Sequence, residues 1–327
     1  MNKNSTSETV TAITVNESVV DSNLPDVNTP NVKIAKILST CFKRGRVREK
    51  TLLAGDPPGY FSHSQNFTSV ADTIKLLNYQ IEMETKYPPG LDRDLIIVNS
   101  DVGSVEGNLF IKNLNQRKID GGKVISFTRE NKGLSYGAYS DAFLMFKDSY
   151  DYFVFIEDDL VTVKKDYLKI AYNKWIETNN CGFFAFQSIS KIDSGWWKKA
   201  GLNETNAFSA YGGCGFTSKN VLGQIVDKYS FLPHNTKNID HEDSIAYGEI
   251  GLSKAIIDLG YKLTELKSEI FIIPAYDLMR NIKYKKYPNF YEKYSWLLKS
   301  NIYNFISKSP FCLRYYIILL KMLKKNY

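Results

Sequence analysis

A short apolar run that ends in three consecutive acids constrains this chain more than any other feature. Tyr152–Ile156 reads YFVFI, and Glu157, Asp158 and Asp159 follow at once. A run of this length and composition is typical of a buried strand, and strands buried on both faces belong to sheets that helices cover. The segment predicts an α/β protein with three carboxylates at the end of a strand.

Other apolar runs alternate with helix-compatible segments. Further strands are predicted at Ile34–Leu38, Leu95–Val98 and Gly122–Phe127, in CGFFAFQSI, and as a final pair in KLTELKSEI and FIIPAYD. Helices are predicted at Thr68–Lys86, up to Lys147, at Asp166–Thr178, through Tyr229, and from HEDSIAYGEIGLSKAIIDLG. This alternation predicts a mostly parallel sheet flanked by helices.

The first of these helices has clear boundaries. Ser69 precedes it with Asp72 three residues on, a typical opening, and Pro88, Pro89 and Gly90 stop it.

Composition excludes several classes of protein. The 327 residues are 43% hydrophobic and carry a formal charge of +7, so wholesale disorder is excluded and anionic ligands are favoured. The basic residues are dispersed, and no nucleic-acid partner is predicted. The four cysteines lack a CxxC pair, which argues against a zinc site or a disulfide framework. No signal peptide is visible at the start, so a cytoplasmic protein is expected.

Composition also divides the chain into three parts. Residues 1–32 are rich in Ser, Thr and Asn and predict a flexible leader, while residues 33–277 form the predicted catalytic domain. Residues 278–327 are basic, aromatic and helix-compatible. That extension suits peripheral contact with the inner face of a membrane, and it equally suits a terminal helix packed on the domain.

Three polar segments follow predicted strands, and they point to one site. They are Thr40–Arg46, Asn99–Ser104 and Glu157–Asp159. Ligands of open parallel sheets bind outside the carboxyl ends of the strands, and adjacent acids invite a hard cation such as Mg²⁺ or Mn²⁺. Alternation places Glu157 and Asp159 on one side of the chain and Asp158 on the other. The plainer alternative is that the acids end a strand and cap the next helix.

The ordered motifs resemble the GT-A nucleotide-sugar glycosyltransferases over roughly residues 33–277. The matching segments are NSDVGS, NKGLSYGAYSDAF and FIEDDL, followed by YGGCGF and then HED. The EDDL form of the metal motif is most similar to the N-acetylglucosaminyltransferase I group. The resemblance implies a GT-A fold and a metal-dependent transfer from a nucleoside-diphosphate sugar, with UDP the commonest carrier, to a glycan or glycolipid hydroxyl.

The resemblance also implies roles for individual residues. Asp159 would ligate the metal directly, while Glu157 and Asp158 would contact ribose, base or metal-bound water. Asp101 would bind the nucleoside.

Two further donor-side residues come from the same resemblance. Arg44 lies where the group places a basic nucleotide contact, with Lys43 and Arg46 as competitors for that role. Gly133, in the NKGLSYG segment, joins the predicted contacts to the nucleotide sugar.

The segment HED supplies the predicted catalytic base. The resemblance aligns Asp243 with the base that deprotonates the acceptor hydroxyl in an inverting displacement. A first-turn helix residue is the alternative explanation of Asp243.

The neighbouring glycines and tryptophans also have two interpretations each. Gly212, Gly213 and Gly215 suit either a close approach to the sugar or a helix-entry turn, and Trp196 and Trp197 suit either stacking on the acceptor or packing.

Two other functions remain open from the residues. One is a non-catalytic carbohydrate- or nucleotide-binding module on the same fold. The other is a nucleotidyltransferase, although no Gly-rich segment bearing Lys or Arg directly follows the first strand. The glycines around Gly133 and Gly137 do not form a dinucleotide fingerprint, and the three histidines are too scattered for a metal triad.

Overall fold

The computed structural model describes six stretches of the chain: residues 32–42, 69–191, 208–210, 213–236, 244–266 and 271–274. Residues 1–31 of the predicted leader, Arg44, the tryptophan pair, Asp243 and the predicted C-terminal extension lie outside these stretches. The division into three parts therefore stays a prediction.

Twelve strands are present in the described residues. They are β1 (Ile34–Thr40), β2 (Asp94–Asp101), β3 (Lys118–Ile119), β4 (Gly122–Glu130), β5 (Tyr152–Glu157), β6 (Leu160–Thr162), β7 (Cys181–Ala185), β8 (Ile189–Lys191), β9 (Phe208–Ala210), β10 (Gly215–Ser218), β11 (Lys262–Glu265) and β12 (Ile272–Pro274). Eight of them form one sheet in the order β11-β7-β10-β5-β1-β2-β4-β3. Parallel pairing joins β5, β1, β2 and β4, and also β7 with β11, whereas β10 is antiparallel to both its neighbours and β3 to β4.

Six α-helices accompany the strands in the same stretches. They are α1 (Val70–Lys86), α2 (Val105–Leu114), α3 (Leu134–Phe146), α4 (Tyr167–Glu177), α5 (Lys219–Tyr229) and α6 (Gly251–Asp258), and a π-helical segment, Ser244–Ile250, leads into α6. None of these helices is long and apolar enough to cross a bilayer.

The central strands are buried because helices cover both faces of the sheet. All seven residues of β1 are buried. Leu38 packs in one core with residues of α1, α2 and α4, while Ile37 packs in a second core with residues of α3, α5 and α6. Successive residues of a strand face opposite ways, so both sets of β1 side chains need an apolar cover. The predicted α/β class, a mostly parallel sheet flanked by helices, is confirmed.

Helix α1 begins as its sequence indicates. The Ser69 side chain accepts a hydrogen bond from the Asp72 backbone N–H at 3.1 Å, and the helix ends before the proline pair. This cap satisfies one of the first-turn N–H groups that an α-helix leaves without an internal partner.

Two elements differ from the sequence predictions. Helix α2 was not predicted from the sequence, in which Gly107 and two asparagines lower the helix propensity. Strand β10 lies where only a helix entry was expected; its four residues are extended because they pair with β5 and β7.

The final predicted strands do not pair with each other. Strand β11 joins β7 at the edge of the main sheet, and β12 pairs antiparallel with β6, directly after the acidic triplet. The end of the described chain therefore returns to the acids that the sequence singled out.

Candidate functional site

The carboxyl ends of β1 and β5 form the point where the order of the sheet reverses. From β1 the chain reaches β2 on one side, while β5 pairs on the other. Ser39 of β1 is level with Glu157 of β5, and Thr40 is level with Asn99 of β2. Ligands of open α/β sheets bind in the crevice at such a switch point. The structure thus places the acidic triplet at the edge of the sheet best suited to a ligand.

The three acids of this turn differ in exposure. Glu157 and Asp159 are partly exposed, whereas Asp158 retains only 3% of its accessible surface. The Asp158 backbone N–H donates to the Ser39 carbonyl at 3.1 Å, and Thr40 Oγ1 donates to Asp158 Oδ2 at 2.5 Å. Asp158 therefore fixes the turn against β1, and its neighbours on either side keep part of their surface exposed.

Gln80 fixes the same turn from the helical layer. Its Nε2 donates to the Asp158 carbonyl at 2.9 Å and to the Leu160 carbonyl at 2.5 Å. Gln80 lies on α1 and is buried. Sequence reasoning missed this residue because the contact spans about eighty positions, and a glutamine within a helix gives no sign of its partner.

The carboxyl group of Glu157 is held among other negative groups. Burial and the nearby Asp159 raise the pKa of Glu157 to about 8, against a hydrogen bond from Ser135 that lowers it, and Asp158 and Glu249 raise it further. Like charges in a poorly hydrated site favour either a shared proton or a bound cation. The electrostatics of the site therefore favour a proton or a cation beside Glu157.

The donor atoms fit a hard divalent cation that is completed by a ligand. Within the described stretches no group of three or more His, Cys, Asp or Glu residues is arranged to hold a metal ion alone. Mg²⁺ and Mn²⁺ bound with nucleotides use one or two carboxylates and take their remaining oxygens from phosphate and water. Glu157 and Asp159 supply carboxylates of that kind.

A second wall of the site comes from the π-helical segment. Glu249 of this segment accepts a hydrogen bond from Ser209 Oγ at 2.8 Å, and its charge raises the pKa of Glu157 and of Tyr136. Gly248 packs against Tyr136 of α3. Sequence reasoning assigned this wall to Asp243 and passed over Glu249 and Tyr136. The helical period gave no clue to Glu249, because a π-helix turns its residues differently from an α-helix. Tyr136, on α3, gave no sign of its contacts with distant glycines.

Asp101 ends β2 and is exposed at the edge of the sheet. Its Oδ1 accepts hydrogen bonds from the Gly103 N–H at 2.8 Å and from Asn108 Nδ2 at 3.1 Å, and these bonds lower the pKa of Asp101. Asn108 Oδ1 in turn accepts from Asn99 Nδ2 at 2.7 Å. Asp101 thus shapes the turn into α2 and stays charged at neutral pH.

Gly133 immediately precedes α3 with a left-handed backbone, φ +69°. A Cβ there would collide with the His234 ring and would lie 2.9 Å from the Asn235 carbonyl oxygen. Backbone conformation and packing both account for this glycine, and its predicted contact with a nucleotide sugar stays a prediction.

Two of the glycines after β9 also have packing partners. A Cβ on Gly213 would collide with the Tyr136 hydroxyl, and one on Gly215 would collide with the Phe184 carbonyl and the Phe183 ring. Gly212, Arg44 and Asp243 lie outside the described stretches, as do Trp196 and Trp197. The structure therefore places Glu157, Asp158 and Asp159 at the carboxyl end of β5. Asp101 lies at the carboxyl end of β2, and β1 separates the two strands.

Comparisons with known proteins give fold-level similarity at most. No family model matches the chain, and no curated protein matches its sequence. A solved structure described as a glucose-1-phosphate thymidylyltransferase from Bacillus anthracis, in complex with sucrose, has 12% identity and a TM-score of 0.38, covering 75% of this chain and 90% of its own.

Two further solved structures are similar at the same level. A CMP:2-keto-3-deoxy-manno-octonic acid synthetase complexed with CTP has 11% identity and a TM-score of 0.37, covering 72% of this chain and 89% of its own. A cytidylyltransferase from Leptospira borgpetersenii serovar Hardjo-bovis has 12% identity and a TM-score of 0.39, covering 77% and 87%. Similarity of this size assigns neither a reaction nor a site residue to the chain.

Proposed function

We propose that the protein is a metal-dependent glycosyltransferase. It transfers a sugar from a nucleoside-diphosphate sugar, with UDP as the first carrier to test, to a hydroxyl of a glycan or a lipid-linked glycan. The observation that carries the proposal is the pair Glu157 and Asp159, partly exposed at the switch point of the sheet, with Asp158 locked beneath them.

The donor side of the reaction follows from these positions. Asp159, together with Glu157, would hold Mn²⁺ or Mg²⁺, which when bound neutralises negative charge on the diphosphate leaving group. Asp101 and Arg44 are the proposed contacts to the nucleoside and its phosphates. Thr40 and Gln80 keep the acidic turn in place, so the two carboxylates do not have to reorganise when the donor binds.

The acceptor side is assigned to the wall that contains the π-helix. Asp243 is the proposed base that takes the proton from the acceptor hydroxyl as its oxygen attacks the anomeric carbon, with inversion of configuration. A lipid-linked acceptor would suit peripheral membrane contact through the basic aromatic residues 278–327.

The first experiment measures nucleotide release. The purified chain is incubated with UDP-glucose, UDP-galactose, UDP-N-acetylglucosamine and GDP-mannose, with Mn²⁺, with Mg²⁺ or with EDTA. We expect release of UDP or GDP from one donor in a metal-dependent manner. Asp159→Asn should reduce the rate by roughly 100-fold or more, because it removes a ligand to the ion that stabilises the leaving group.

A matched control separates loss of the site from loss of folding. Asp227→Asn changes an exposed aspartate on α5, and it should retain the wild-type rate and melting temperature. Unchanged transfer in both Asp159→Asn and Asp243→Asn would contradict the mechanism. Pyrophosphate release from a nucleoside triphosphate and a sugar 1-phosphate would indicate a nucleotidyltransferase instead, and thermal stabilisation by nucleotide sugars without turnover would indicate a binding module.

A further inference from the structure

Tyr136 is a buried residue that packs against Gly248 of the second wall. It lies in the first turn of α3, directly after Ser135, whose side chain hydrogen-bonds to Glu157. Its ring is enclosed between two glycines: a Cβ on Gly213 would collide with its hydroxyl, and a Cβ on Gly248 would collide with its ring. The edge of the Tyr139 ring packs against it with 5.5 Å between the ring centroids. These contacts fix the ring between the acidic turn and the second wall.

The hydroxyl of Tyr136 lacks a hydrogen-bond partner among the described residues, although the residue is only 5% exposed. Two other buried tyrosines have partners, since Tyr150 donates to Asp94 Oδ2 at 2.7 Å and Tyr167 donates to Glu84. The buried Tyr139 hydroxyl, like that of Tyr136, lacks one among the described residues. A buried hydroxyl without a partner costs about 1–3 kcal/mol. A bound ligand with an acceptor atom near this hydroxyl would supply the missing hydrogen-bond partner.

The surroundings of this hydroxyl select the kind of ligand. Burial, Glu249 and Glu157, in that order, raise the pKa of Tyr136 well above its ordinary value, so carboxylates of both walls lie near the hydroxyl. Carboxyl oxygens accept hydrogen bonds from a neutral polyol, whose own oxygen can in turn accept one from the tyrosine.

We propose that Tyr136 binds a hydroxyl of the transferred sugar, with Glu249 on the facing wall. The inference rests on the proposed function and adds to it a residue that recognises the sugar rather than the nucleotide. Ser209 holds the Glu249 carboxylate at 2.8 Å and so keeps the second wall in position for the same sugar.

The test compares nucleotide sugars with the corresponding nucleoside diphosphates. Isothermal titration in Mn²⁺ gives the Kd of UDP-glucose, UDP-galactose and UDP-N-acetylglucosamine against UDP, and of GDP-mannose against GDP, for the wild type and for Tyr136→Phe. For the nucleotide sugar that the wild type binds best, we expect Tyr136→Phe to have a Kd about tenfold higher, because one hydrogen bond to the ligand is lost. The Kd of the nucleoside diphosphate should not change.

Thermal unfolding provides the second readout. Tyr136→Phe removes a hydroxyl that has no partner in the described structure, so its melting temperature should equal or exceed that of the wild type. Tyr150→Phe is the matched control, since it removes a hydroxyl that is bonded to Asp94. It should lower the melting temperature and leave every Kd unchanged.

Three outcomes would overturn the inference. A melting temperature lowered by Tyr136→Phe would show that the hydroxyl is structural, and equal weakening of nucleotide sugar and nucleoside diphosphate would show that Tyr136 does not recognise the sugar. Both leave the proposed function intact. If the wild type binds no nucleotide and no nucleotide sugar, the proposed function fails and the inference fails with it.

Discussion

At the scale of single residues, neighbouring acids at the end of β5 take different roles because the turn after the strand buries one side chain more than the other two. Asp158 is turned inward and its carboxylate accepts a hydrogen bond from Thr40. Glu157 and Asp159 keep part of their surface at the opening. One buried acid thus lies between two that are partly exposed, and the peptide groups around it are held by Gln80.

Gln80 gives a prediction at this scale. Gln80→Met keeps the length of the side chain but leaves the buried carbonyls of Asp158 and Leu160 without their donor. We expect the free energy of unfolding to fall by about 1–3 kcal/mol. Because the turn loses its support, the KM for the nucleotide sugar should rise. Urea denaturation and steady-state kinetics measure the two effects.

Gln224→Met is the control for that change. Gln224 lies on α5, a helix that carries none of the site residues. Its Nε2 donates a hydrogen bond to the Tyr261 hydroxyl at 2.8 Å. A small loss of stability with an unchanged KM is expected for it. If Gln80→Met also left the KM unchanged, Gln80 would be a structural residue without a role in positioning the site.

At the scale of elements, helix α2 forms because its residues pack in the core, although its sequence has a low helix propensity. A Cβ on Gly107 would collide with the ring of Phe42, which lies two residues after β1. Only glycine therefore allows α2 to pack this closely against Phe42. Ser104 caps the same turn by accepting from the Gly107 N–H at 3.1 Å. The glycine lowers helix propensity by roughly 1 kcal/mol, and the burial of Ile111 and Leu114 in the core below offsets it.

The same substitution in two helices should have opposite effects. Gly107→Ala forces a methyl group into Phe42, and overpacking of this kind costs about 1–3 kcal/mol. Gly223→Ala in α5 meets no atom within 4 Å, so it should stabilise the protein by roughly 0.5–1 kcal/mol. Chemical denaturation of both variants tests the pair, and a stable Gly107→Ala would show that α2 can move away from Phe42.

At the scale of the whole molecule, a buried ionic network links elements that are far apart in the chain. Lys36, in the middle of β1, is 1% exposed and donates to Glu84 Oε1 of α1 at 2.5 Å. Arg93, just before β2, donates to Glu84 Oε2 at 2.8 Å, and Lys36 also donates to Thr162 of β6 at 2.7 Å. Two cations thus share one carboxylate beneath the sheet.

Removing the shared carboxylate should destabilise the fold strongly. Glu84→Gln leaves Lys36 and Arg93 buried without their anion, which costs about 3–5 kcal/mol of the free energy of unfolding. Glu82→Gln, on the exposed side of the same helix, is the control and should change stability by less than about 0.5 kcal/mol. Equal stability of the two variants would show that the network contributes nothing.

The same carboxylate predicts a loss of stability in acid. Burial pushes the pKa of Glu84 up, but Lys36 and Arg93 push it further down, so the net pKa lies below its ordinary value. A folded pKa below the unfolded value of about 4.3 gives stability that is present above that pH and is lost as the pH falls through the folded pKa. The wild type should therefore lose more stability than Glu84→Gln between about pH 5 and pH 3, as thermal unfolding across that range would show.

Local pattern was enough to predict much of this fold. Apolar runs of strand length, a Ser cap and the Pro-Pro-Gly stop depend on neighbouring residues, and they predicted β1, α1, β2, α3, β5 and α4 close to their observed bounds. The same reasoning predicted that three acids follow β5. The hydrogen bonds that give each acid its role were not predictable, because Gln80 and Thr40 lie far from them in sequence.

The sequence by itself determined the α/β class and the acidic edge of the sheet, since strand burial and alternation act over a few residues. Only the tertiary structure decided that β10 enters the sheet antiparallel, that β12 returns to β6, and that Tyr136 and Glu249 stand beside Glu157. These arrangements depend on pairing and packing between distant segments, and no local propensity specifies a partner. The acidic triplet could be predicted from the sequence, whereas the residues that surround it were set by the tertiary structure.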